Sequence, residues 1–397
     1  MAGGSMPDVS REWPLPAELV ELQRIVRMFI AQEVRPREAT LDPDALELAP
    51  EDLVEVRAKA RQAGLWCLGS PAEHGGAGLS MLAQVVVTEE GSRCRLGLES
   101  LAGGAFGYDP PGVIFGGTQQ QIKEFAVPAI AAGVKTFVAL TEPDGGSDPA
   151  RSIRTVAERV GDEWVLNGSK LFISGADTAE WGIVFARTDR TAGREGISSF
   201  IVDTGRPGFS ARPIPVIRSW SPCEVSLEDC RIPADRLLGS AGEGFALAQR
   251  WLGPGRIRYA AAVLGVAAEA IAMAVAYAQS RSVFGGPLSE KQGVAWPLAD
   301  SEIELRAARL LVYDAAVRVD RGDPFTVESS IAKLYATEAA GRIVDRCIQV
   351  FGGLGVSKEL PLERWYRELR VKRIGEGPSE VHRMIVARAL FRDGAPR

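Results

Sequence analysis

Residues 135–148 read KTFVALTEPDGGSD, and they mark the point at which the character of the chain changes. The run KTFVAL is rich in β-branched and aromatic residues, which favour a strand. The run that follows contains a proline and two adjacent glycines, which favour a turn. Before this stretch the patterns predict helices, and after it they predict short strands. We therefore place the first domain boundary near Gly133.

The first third of the chain is predicted to be helical. Over residues 17–36, six apolar residues recur at helical spacing, which predicts an amphipathic helix that ends at Pro36. Residues 50–66 and 80–93 predict two further helices. We assign residues 1–133 to an N-terminal helical domain.

A set of short strands is predicted beyond this boundary. The runs EWVLNGSKLFIS (163–174), WGIVFART (181–188) and SSFIVD (198–203) are rich in β-branched and aromatic residues. The Asn167–Gly168 dipeptide predicts a hairpin turn, because both residues tolerate a positive φ. We assign residues 134–240 to a small antiparallel β domain.

The last part of the chain is predicted to be a helical bundle. Four long stretches carry helical patterns, over residues 258–281, 294–319, 326–351 and 379–391. Four helices of this kind are typical of a four-helix bundle. We assign residues 241–397 to this C-terminal domain, so the predicted fold class is an α+β multidomain protein with the order helical, β, helical.

Composition excludes several functions. Lys and Arg number 46 and Asp and Glu 51, a net charge of -5, which argues against a nucleic-acid partner. No run reads as a transmembrane segment or a signal peptide, so we expect no membrane role. The five cysteines form no CxxC pair and there are only two histidines, so no metal site is expected. Free cysteines favour a reducing, cytoplasmic location.

Two stretches of the predicted β domain carry groups suited to a planar ligand. Gly145 and Gly146 allow close approach to the backbone, and Thr141 and Ser147 add hydroxyl groups. Phe172 and Ser174 are two apart, so they are predicted to share one face of a strand. The plain alternatives are an ordinary turn at the end of a strand and a half-buried sheet surface.

Two stretches of the helical bundle also contain glycines and polar groups. RSVFGGPLSEKQ (281–292) follows a long predicted helix, where a basic cap and a Gly-Pro loop are the plain alternative. QVFGGLGVS (349–357) follows a helix and not a strand, so it lacks the context of a dinucleotide fingerprint. With no βαβ pattern in the chain, we discount a nicotinamide-binding domain.

The stretch RIGEGPSEVHR (373–383) places Glu376 between two glycines at the start of a predicted helix. Pro378 suits the first helical turn and Gly377 the position before it. The helix dipole favours the ionised carboxylate, whereas burial would raise its pKa toward that of a useful base. The alternative is a solvent-facing acid that complements the dipole.

Taken together, these pieces resemble the acyl-CoA dehydrogenase family in order and spacing over nearly the whole chain. ALTEPDGGSD (139–148) and KLFISG (170–175) resemble two segments of the family's middle domain. RSVFGGPLSEKQ is similar to its Arg-x-x-Phe-Gly motif with a trailing Gln. QVFGGLG and YRELRVKRIGEG (366–377) are similar to its C-terminal signature.

The resemblance implies the same three-domain fold, a homotetramer built as a dimer of dimers, and FAD bound between the β domain and the bundle. The residues implied to contact FAD, partly across a subunit interface, are Leu140, Thr141, Phe172, Ser174, Arg281, Phe284, Gln292, Gln349, Gly353 and Glu380. Those implied to contact the acyl-CoA are Ser147, Arg256, Gly377 and Arg388.

The implied reaction is α,β-dehydrogenation of an acyl-CoA thioester to the trans-2-enoyl-CoA. Glu376 would be the catalytic base, with hydride transfer from Cβ to flavin N5. Some family members take the base from the first long helix of the bundle, but here that region, QRWLGPGRIRY (249–259), contains no acid. An electron-transfer flavoprotein is the expected partner.

Two departures from the family pattern stand next to Glu376. Many members have Tyr or another bulky residue where this chain has Gly375, and Thr where it has Pro378. Gly375, with the sequence GPG before Arg256, predicts a wider pocket for a branched, cyclic or otherwise bulky acyl group. The Pro378 departure removes one expected hydroxyl contact with FAD.

Three alternatives stay open on the sequence. The first is an oxygen-reactive acyl-CoA oxidase or flavin monooxygenase of the same fold. The second is a dehydrogenase whose acyl group is attached to a carrier protein. The third is a non-catalytic binding member of the fold, which would purify without flavin.

Overall fold

The computed structural model describes residues 15–393. The predicted terminal domains also include residues 1–14 and 394–397, which lie outside the described residues. The chain forms two compact units. One combines the residues through Ala63, Ser80–Ala105 and the residues from Pro254 onward, and the other combines Gly64–Leu79 with Phe106–Gly253. The domain boundaries placed at residues 133 and 240 stay a prediction.

The N-terminal helices belong mostly to the first unit. They are α1 (Ala17–Phe29), α2 (Arg35–Glu38), α3 (Pro50–Gln62) and α4 (Met81–Gly91). The prediction that the first helix ends at Pro36 is wrong, because a π-helical turn over Ile30–Val34 carries the chain into α2. Pro36 stands in the first turn of α2, where its missing N–H is not needed.

The second unit contains an eight-stranded sheet. Its short helices are α5 (Gln119–Gln121), α6 (Val127–Ala132) and α7 (Pro149–Ser152). Its strands are β1 (Phe137–Ala139), β2 (Val156–Val160), β3 (Glu163–Ile173), β4 (Trp181–Arg187), β5 (Ile197–Asp203), β6 (Phe209–Pro213), β7 (Cys223–Pro233) and β8 (Leu237–Leu238). The order is β6-β7-β3-β2-β4-β5-β8, with β1 beside β4. All pairs are antiparallel except β1–β4 and β2–β4, so the predicted β domain is largely antiparallel.

The Asn167–Gly168 dipeptide lies inside β3, so the hairpin predicted there is wrong. The register of β3 against β7 shifts at this point. The Asn167 side chain donates to Asp229 Oδ1 at 3.1 Å and accepts the Asp229 N–H at 2.8 Å. Gly168 has a φ of +150°, and a Cβ there would lie 2.5 Å from Thr155 Oγ1. The dipeptide therefore forms a bulge in a long strand.

The C-terminal part is helical, as predicted, with a small hairpin after its first helix. Its helices are α8 (Gly244–Ser280), α9 (Gln292–Arg321), α10 (Thr326–Phe351), α11 (Leu362–Lys372) and α12 (Ser379–Asp393), and the hairpin strands are β9 (Ser282–Val283) and β10 (Gly286–Pro287). Helix α11 was not predicted. Its buried residues Leu362, Trp365 and Leu369 follow helical spacing, so the sequence did contain the signal.

Helix α8 corrects one expectation about membranes. Its most apolar window has a mean hydropathy of 1.9, so by length and composition it could span a bilayer. However, 67% of that window is buried inside the protein, which is typical of a core helix. The helix also begins earlier than predicted and contains Pro254.

The core of the first unit joins its N-terminal and C-terminal helices. Every residue of α4 is buried, including the polar Glu89. Apolar side chains of α4 and the helices α8–α11 form one continuous cluster. Glu89 is held inside this core by Arg309, whose Nε donates at 2.9 Å, and by the Tyr313 hydroxyl at 3.0 Å. The cluster gives the C-terminal helices a fixed frame for the turns between them.

Candidate active site

The Glu376 turn connects α11 to α12. Glu376 has a φ of 57° and Gly377 a φ of 98°, so two successive residues adopt left-handed backbone conformations. For a residue with a side chain this conformation costs about 1–2 kcal/mol. Pro378 follows and α12 begins at Ser379, which places Glu376 just outside a helix N-terminus, as predicted.

Two positively charged side chains hold the backbone of this turn. The Nε of Arg256, on α8, donates to the Glu376 carbonyl at 3.2 Å. The Nζ of Lys333, on α10, donates to the Gly377 carbonyl at 2.7 Å. Since the two carbonyls are successive, these bonds fix the orientation of both peptide groups and stabilise the strained turn.

One oxygen of the Glu376 carboxyl group is buried and, within residues 15–393, lacks the hydrogen bond that would offset its burial. Its Oε2 has no hydrogen-bond partner among the described residues. A Cβ added at Gly255 would lie 3.8 Å from this oxygen, in ordinary contact, so the glycine leaves room for a methyl group beside it. Burial raises the pKa of Glu376, although the positive charges of Arg256 and Lys333 act against it. A carboxylate with these properties is suited to accept a proton.

His382 lies beneath the turn and is fully buried. A Cβ on Gly377 would meet its Nε2 at 3.2 Å, and neither ring nitrogen makes a hydrogen bond of normal geometry within the described residues. Burial, together with the positive charges of Lys333 and Arg256, lowers the pKa of His382 to about 3. The ring is therefore neutral and adds no positive charge beside Glu376.

Tyr259 occupies the space next to Gly375. A Cβ added at Gly375 would lie only 2.5 Å from the Tyr259 hydroxyl oxygen. The Nζ of Lys372 lies 4.2 Å from the centre of the same ring. The expectation that Gly375 widens the pocket is therefore not supported on this side, because the tyrosine fills the room that the glycine leaves.

Sequence reasoning missed Lys333, Lys372, His382 and Tyr259. Lys333 had a recognisable signal, since it stands at a core position of α10 among small residues such as Ala332 and Ala336, all buried. A lysine at such a position is unusual unless a partner compensates its charge. The other three carried no pattern in the sequence that points to the Glu376 turn.

The predicted acyl-CoA residues fall in different places. Arg256 and Gly377 meet at the Glu376 turn. Arg388 is exposed in the second half of α12, and Ser147 is exposed in the turn after β1. The structure therefore groups two of the four with Glu376, and the roles of all four stay predictions.

The predicted flavin contacts of the second unit lie at the ends of β1 and β3. The Leu171 N–H donates to the Thr141 carbonyl at 2.9 Å, which joins the two strand ends. Beneath them, the buried Lys170 Nζ reaches a Glu142 oxygen at 2.7 Å. Glu142 also accepts the Thr155 N–H at 3.0 Å. Leu140 and Thr141 are thus held beside the segment that carries Phe172 and Ser174.

Phe172 has an unusual conformation for an aromatic residue. Its side chain is 55% exposed and its φ is 59°, where the register of β3 shifts against β7. Ser174, one residue beyond β3, is also exposed, and the buried Ile173 separates the two. Exposure alternates here as in a strand, but the positive φ of Phe172 marks an irregularity that sets the direction of the phenyl ring.

The remaining predicted FAD contacts are exposed residues of the first unit, at a hairpin and at helix ends. Phe284, at the tip of the β9–β10 hairpin, is 97% exposed with a φ of 48°. The other five residues are exposed as well: Arg281 and Gln292 on either side of this hairpin, Gln349 and Gly353 near the end of α10, and Glu380 at the start of α12. An aromatic residue held in a strained, exposed turn is suited to contact a ligand or another chain.

These residues fit FAD. The exposed ring of Phe172 offers a face to a flat ring system, and the neighbouring hydroxyl groups of Thr141 and Ser174 offer hydrogen bonds. The strained backbone of Phe172 is compatible with a residue positioned for a ligand and not for packing. The individual flavin and substrate contacts stay predictions.

Comparisons with known proteins place this arrangement in a family. Models of the N-terminal, middle and C-terminal domains of acyl-CoA dehydrogenase match residues 16–133, 138–230 and 242–391. The short-chain specific acyl-CoA dehydrogenase of rat mitochondria is 38% identical, covering 98% of this chain and 97% of the relative.

Solved structures agree. Butyryl-CoA dehydrogenase from Megasphaera elsdenii has a TM-score of 0.84 and 31% identity, covering 95% of this chain and 99% of the other. A chain of the structure described as the electron transferring flavoprotein of Acidaminococcus fermentans has a TM-score of 0.85 and 32% identity, covering 96% and 100%.

These matches confirm the predicted fold class, cofactor and reaction. The three domain models appear in the predicted order, and they cover most of the chain. The chain therefore belongs to the acyl-CoA dehydrogenase family, the FAD-dependent oxidoreductases that act on the CH–CH bond of acyl-CoA thioesters.

Proposed function

We propose that this chain dehydrogenates a short-chain acyl-CoA and that Glu376 is the base that removes the Cα proton. The observation that carries the assignment is the buried Glu376 Oε2, which lacks a hydrogen-bond partner among the described residues. Most buried carboxylate oxygens are hydrogen-bonded, and this one belongs to a residue in a strained turn at a helix start, so it is available to take up a proton.

The proton at Cα of a thioester is very weakly acidic, so the base must be ionised yet poorly solvated. Burial weakens the solvation of the Glu376 carboxylate and raises its pKa. The nearby charges of Arg256 and Lys333 keep the ionised form accessible. The turn therefore combines a basic carboxylate with a fixed backbone.

Charge also develops on the thioester oxygen as the Cα proton leaves. The backbone N–H of Glu376 is the proposed donor to that oxygen, and a preorganised donor of this kind is worth about 3–4 kcal/mol. Bound FAD would supply the acceptor for the hydride that leaves Cβ. The proton stays on Glu376, so the acyl chain loses one proton and one hydride and becomes the 2-enoyl thioester.

Two observations support a short, unbranched acyl group. Tyr259 fills the space beside Gly375, so Gly375 no longer supports a pocket for a bulky substrate. The rat relative described above is named short-chain specific. The room beside Gly255 is the remaining argument for a bulkier acyl group. A panel of substrates distinguishes the short, unbranched acyl group from the bulkier one.

The proposed partners are an electron-transfer flavoprotein, as expected from the family, and further copies of this chain. Trp296, Ile303 and Leu310 recur every seven residues on α9 and are 63%, 65% and 41% exposed. An exposed apolar stripe of this length supports contact between subunits. We propose a homotetramer, and sedimentation of the purified protein tests this assembly.

We also propose a cytoplasmic location. All five cysteines are buried and none forms a disulfide. Thiols that stay free are typical of a reducing compartment.

The test is anaerobic mixing of the purified flavoprotein with a panel of acyl-CoA esters. The panel contains butyryl-CoA, isobutyryl-CoA, a cyclic acyl-CoA and a long straight-chain acyl-CoA, and the long-wavelength absorbance of the flavin is followed. We expect the fastest bleaching with butyryl-CoA. Faster bleaching with a branched or cyclic ester would restore the bulky-substrate hypothesis.

Glu376→Gln is the decisive variant, and Glu363→Gln is its matched control. Glu363 lies on α11, in the same unit, and is ion-paired with Arg367 at 2.9 Å. We expect Glu376→Gln to retain FAD and to lose bleaching, whereas Glu363→Gln keeps it. If Glu376→Gln retains most of the rate, Glu376 is not the base. Rapid reoxidation by air with peroxide formation would favour the oxidase alternative, and bleaching only by a carrier-protein thioester would favour that substrate.

A further inference from the structure

Lys333 is a fully buried lysine whose ammonium group is poorly compensated by hydrogen bonds. It lies in the middle of α10, with no exposed surface. The one hydrogen bond of its ammonium group among the described residues goes to the Gly377 carbonyl, at 2.7 Å. An ammonium group has three N–H donors, and burying it is costly unless opposite charge lies nearby. The position of Lys333 therefore needs a reason beyond packing.

The acid whose charge most favours the protonated form of Lys333 is Glu376. Ionisable groups of the neighbouring helices surround Lys333 and Glu376: Arg256 and Arg258 on α8, Glu338 on α10, Lys372 on α11 and the neutral His382 on α12. Glu338 is already engaged, since Arg373 approaches it at 2.7 Å and the Ser379 hydroxyl donates to it at 2.7 Å. Glu376 is therefore the acid that is left to balance the buried Lys333.

The bond to Gly377 adds a geometric role. The Gly377 carbonyl belongs to the peptide group before Pro378, and Lys333 fixes its direction. Arg256 fixes the preceding carbonyl in the same way, at 3.2 Å. Between them lies Glu376, whose φ of 57° is unfavourable for a residue with a side chain. Loss of either cation would allow the turn to relax.

We propose that Lys333 is a positioning residue, which holds the Glu376–Gly377 turn through the Gly377 carbonyl and supplies positive charge that keeps the Glu376 carboxyl group ionised. This inference rests on the proposed role of Glu376 as the base. Lys333 itself does not contact the reacting atoms. It acts through Glu376, so its removal changes the pH at which the base works as well as the rate.

The test compares Lys333→Met and Lys333→Gln with Thr337→Val in the FAD-loaded protein. The methionine removes both charge and donor, whereas the glutamine removes the charge and keeps a donor for the Gly377 carbonyl. Thr337 is the matched control, because it lies one turn along the same buried face of α10 and donates to the Lys333 carbonyl at 2.8 Å. Thr337→Val changes a buried polar group without changing charge.

The first readout is the pH dependence of flavin reduction by butyryl-CoA. Loss of a nearby opposite charge raises the pH at which a carboxyl group ionises by about one pH unit or more. We therefore expect the acid limb to move to higher pH in both Lys333 variants, with a loss of about tenfold in rate at a pH on the limb. Thr337→Val should keep the limb of the unmodified protein. An unmoved limb in both Lys333 variants would overturn the proposal.

The second readout does not depend on turnover. The infrared band of the protonated Glu376 carboxyl group is isolated by subtracting the spectrum of the Glu376→Gln protein at each pH. We expect this band to persist to higher pH in Lys333→Met and Lys333→Gln. An unchanged midpoint would contradict the inference even if Glu376 is the base. Conversely, a moved midpoint with an active Glu376→Gln protein would keep the inference about charge and reject the proposed function.

Discussion

Two buried lysines, one in each unit, interact with a neighbouring glutamate in two different ways. Lys170 in β3 and Lys333 in α10 are both fully buried, and burial lowers the pKa of each to about 8. Lys170 reaches the Glu142 carboxylate at 2.7 Å, whereas Lys333 reaches the Gly377 carbonyl at the same distance. The first lysine neutralises its acid directly, whereas the second leaves Glu376 Oε2 without a hydrogen-bond partner within residues 15–393.

The pKa values of Glu142 and Glu376 shift in opposite directions. Burial favours the neutral form of Glu142, but the charge of Lys170 and hydrogen bonds from Lys170, Arg154 and Thr155 outweigh it and lower its pKa. Burial dominates at Glu376, whose pKa is raised. The contrast indicates that Glu142 serves the fold, because its ion pair and its hydrogen bonds favour a fixed carboxylate. Glu376 keeps an oxygen available for a proton.

The largest expected effect is the difference between neutralising Glu376, which lowers the reaction rate, and neutralising Glu142, which lowers stability. We expect Glu376→Gln to lower the rate of flavin reduction about 10²- to 10⁴-fold, the range typical of a general base, with little loss of stability. Glu142→Gln should instead lower stability and FAD retention, and leave the pH dependence of reduction unchanged. Stopped-flow absorbance and thermal unfolding of both proteins check this. The same pattern in both variants would remove the distinction.

The next effect tests the ion pair between Lys170 and Glu142. Lys170→Met leaves the Glu142 carboxylate buried without its cation, which is expected to cost about 3–5 kcal/mol of unfolding free energy. Urea unfolding measures this loss. The double variant Lys170→Met with Glu142→Gln should recover part of it, since no buried charge is left. If the single variant is as stable as the unmodified protein, the pair contributes nothing to the fold.

The third effect is a pH dependence of stability from Lys333. Its pKa is about 8 in the folded protein and 10.5 is its ordinary value, so between these pH values the unfolded chain binds a proton that the folded protein lacks. Stability therefore rises with pH across this window, by up to about 3 kcal/mol. Urea midpoints at pH 8, 9 and 10 measure the rise. In Lys333→Met the rise should be smaller by this contribution, and equal slopes would contradict the shifted pKa.

The smallest effect concerns the room beside Glu376. Gly375→Ala places a methyl group 2.5 Å from the Tyr259 hydroxyl oxygen, and such overpacking costs about 1–3 kcal/mol. Tyr259→Phe removes that oxygen, so it should relieve the strain in the double variant. Unfolding free energies of the four proteins in this cycle check the coupling. Additive effects would show that Tyr259 does not fill this space.

Prediction from the sequence succeeded where local patterns and motif order carried the information. Helical spacing identified α1, α9 and α10, and the composition change near Gly133 separated the helical start from the sheet. The Glu376 turn was predictable because proline and glycine have strong positional preferences around a helix start. These features depend on residues close together in the chain.

Prediction from the sequence failed where contacts between distant residues override a local preference. Asn167–Gly168 is a strong hairpin signal, yet Asp229 on a neighbouring strand and the close approach of Thr155 turn it into a bulge. Pro36 did not end its helix, since a π turn precedes it. Lys333 and Tyr259 come from different helices, and their places beside the Glu376 turn depend on packing that no single stretch reveals.

The left-handed residues have a consequence for redesign of the chain. Six residues other than glycine have a left-handed φ within the described part, and three of them, Phe172, Phe284 and Glu376, are predicted site residues. A stability-guided library would favour glycine or asparagine at these positions, since both tolerate that backbone better. Each gain would delete an aromatic face or the proposed base. Selection for thermal resistance alone would therefore drift toward inactive protein, and these three positions should be held constant in any such experiment.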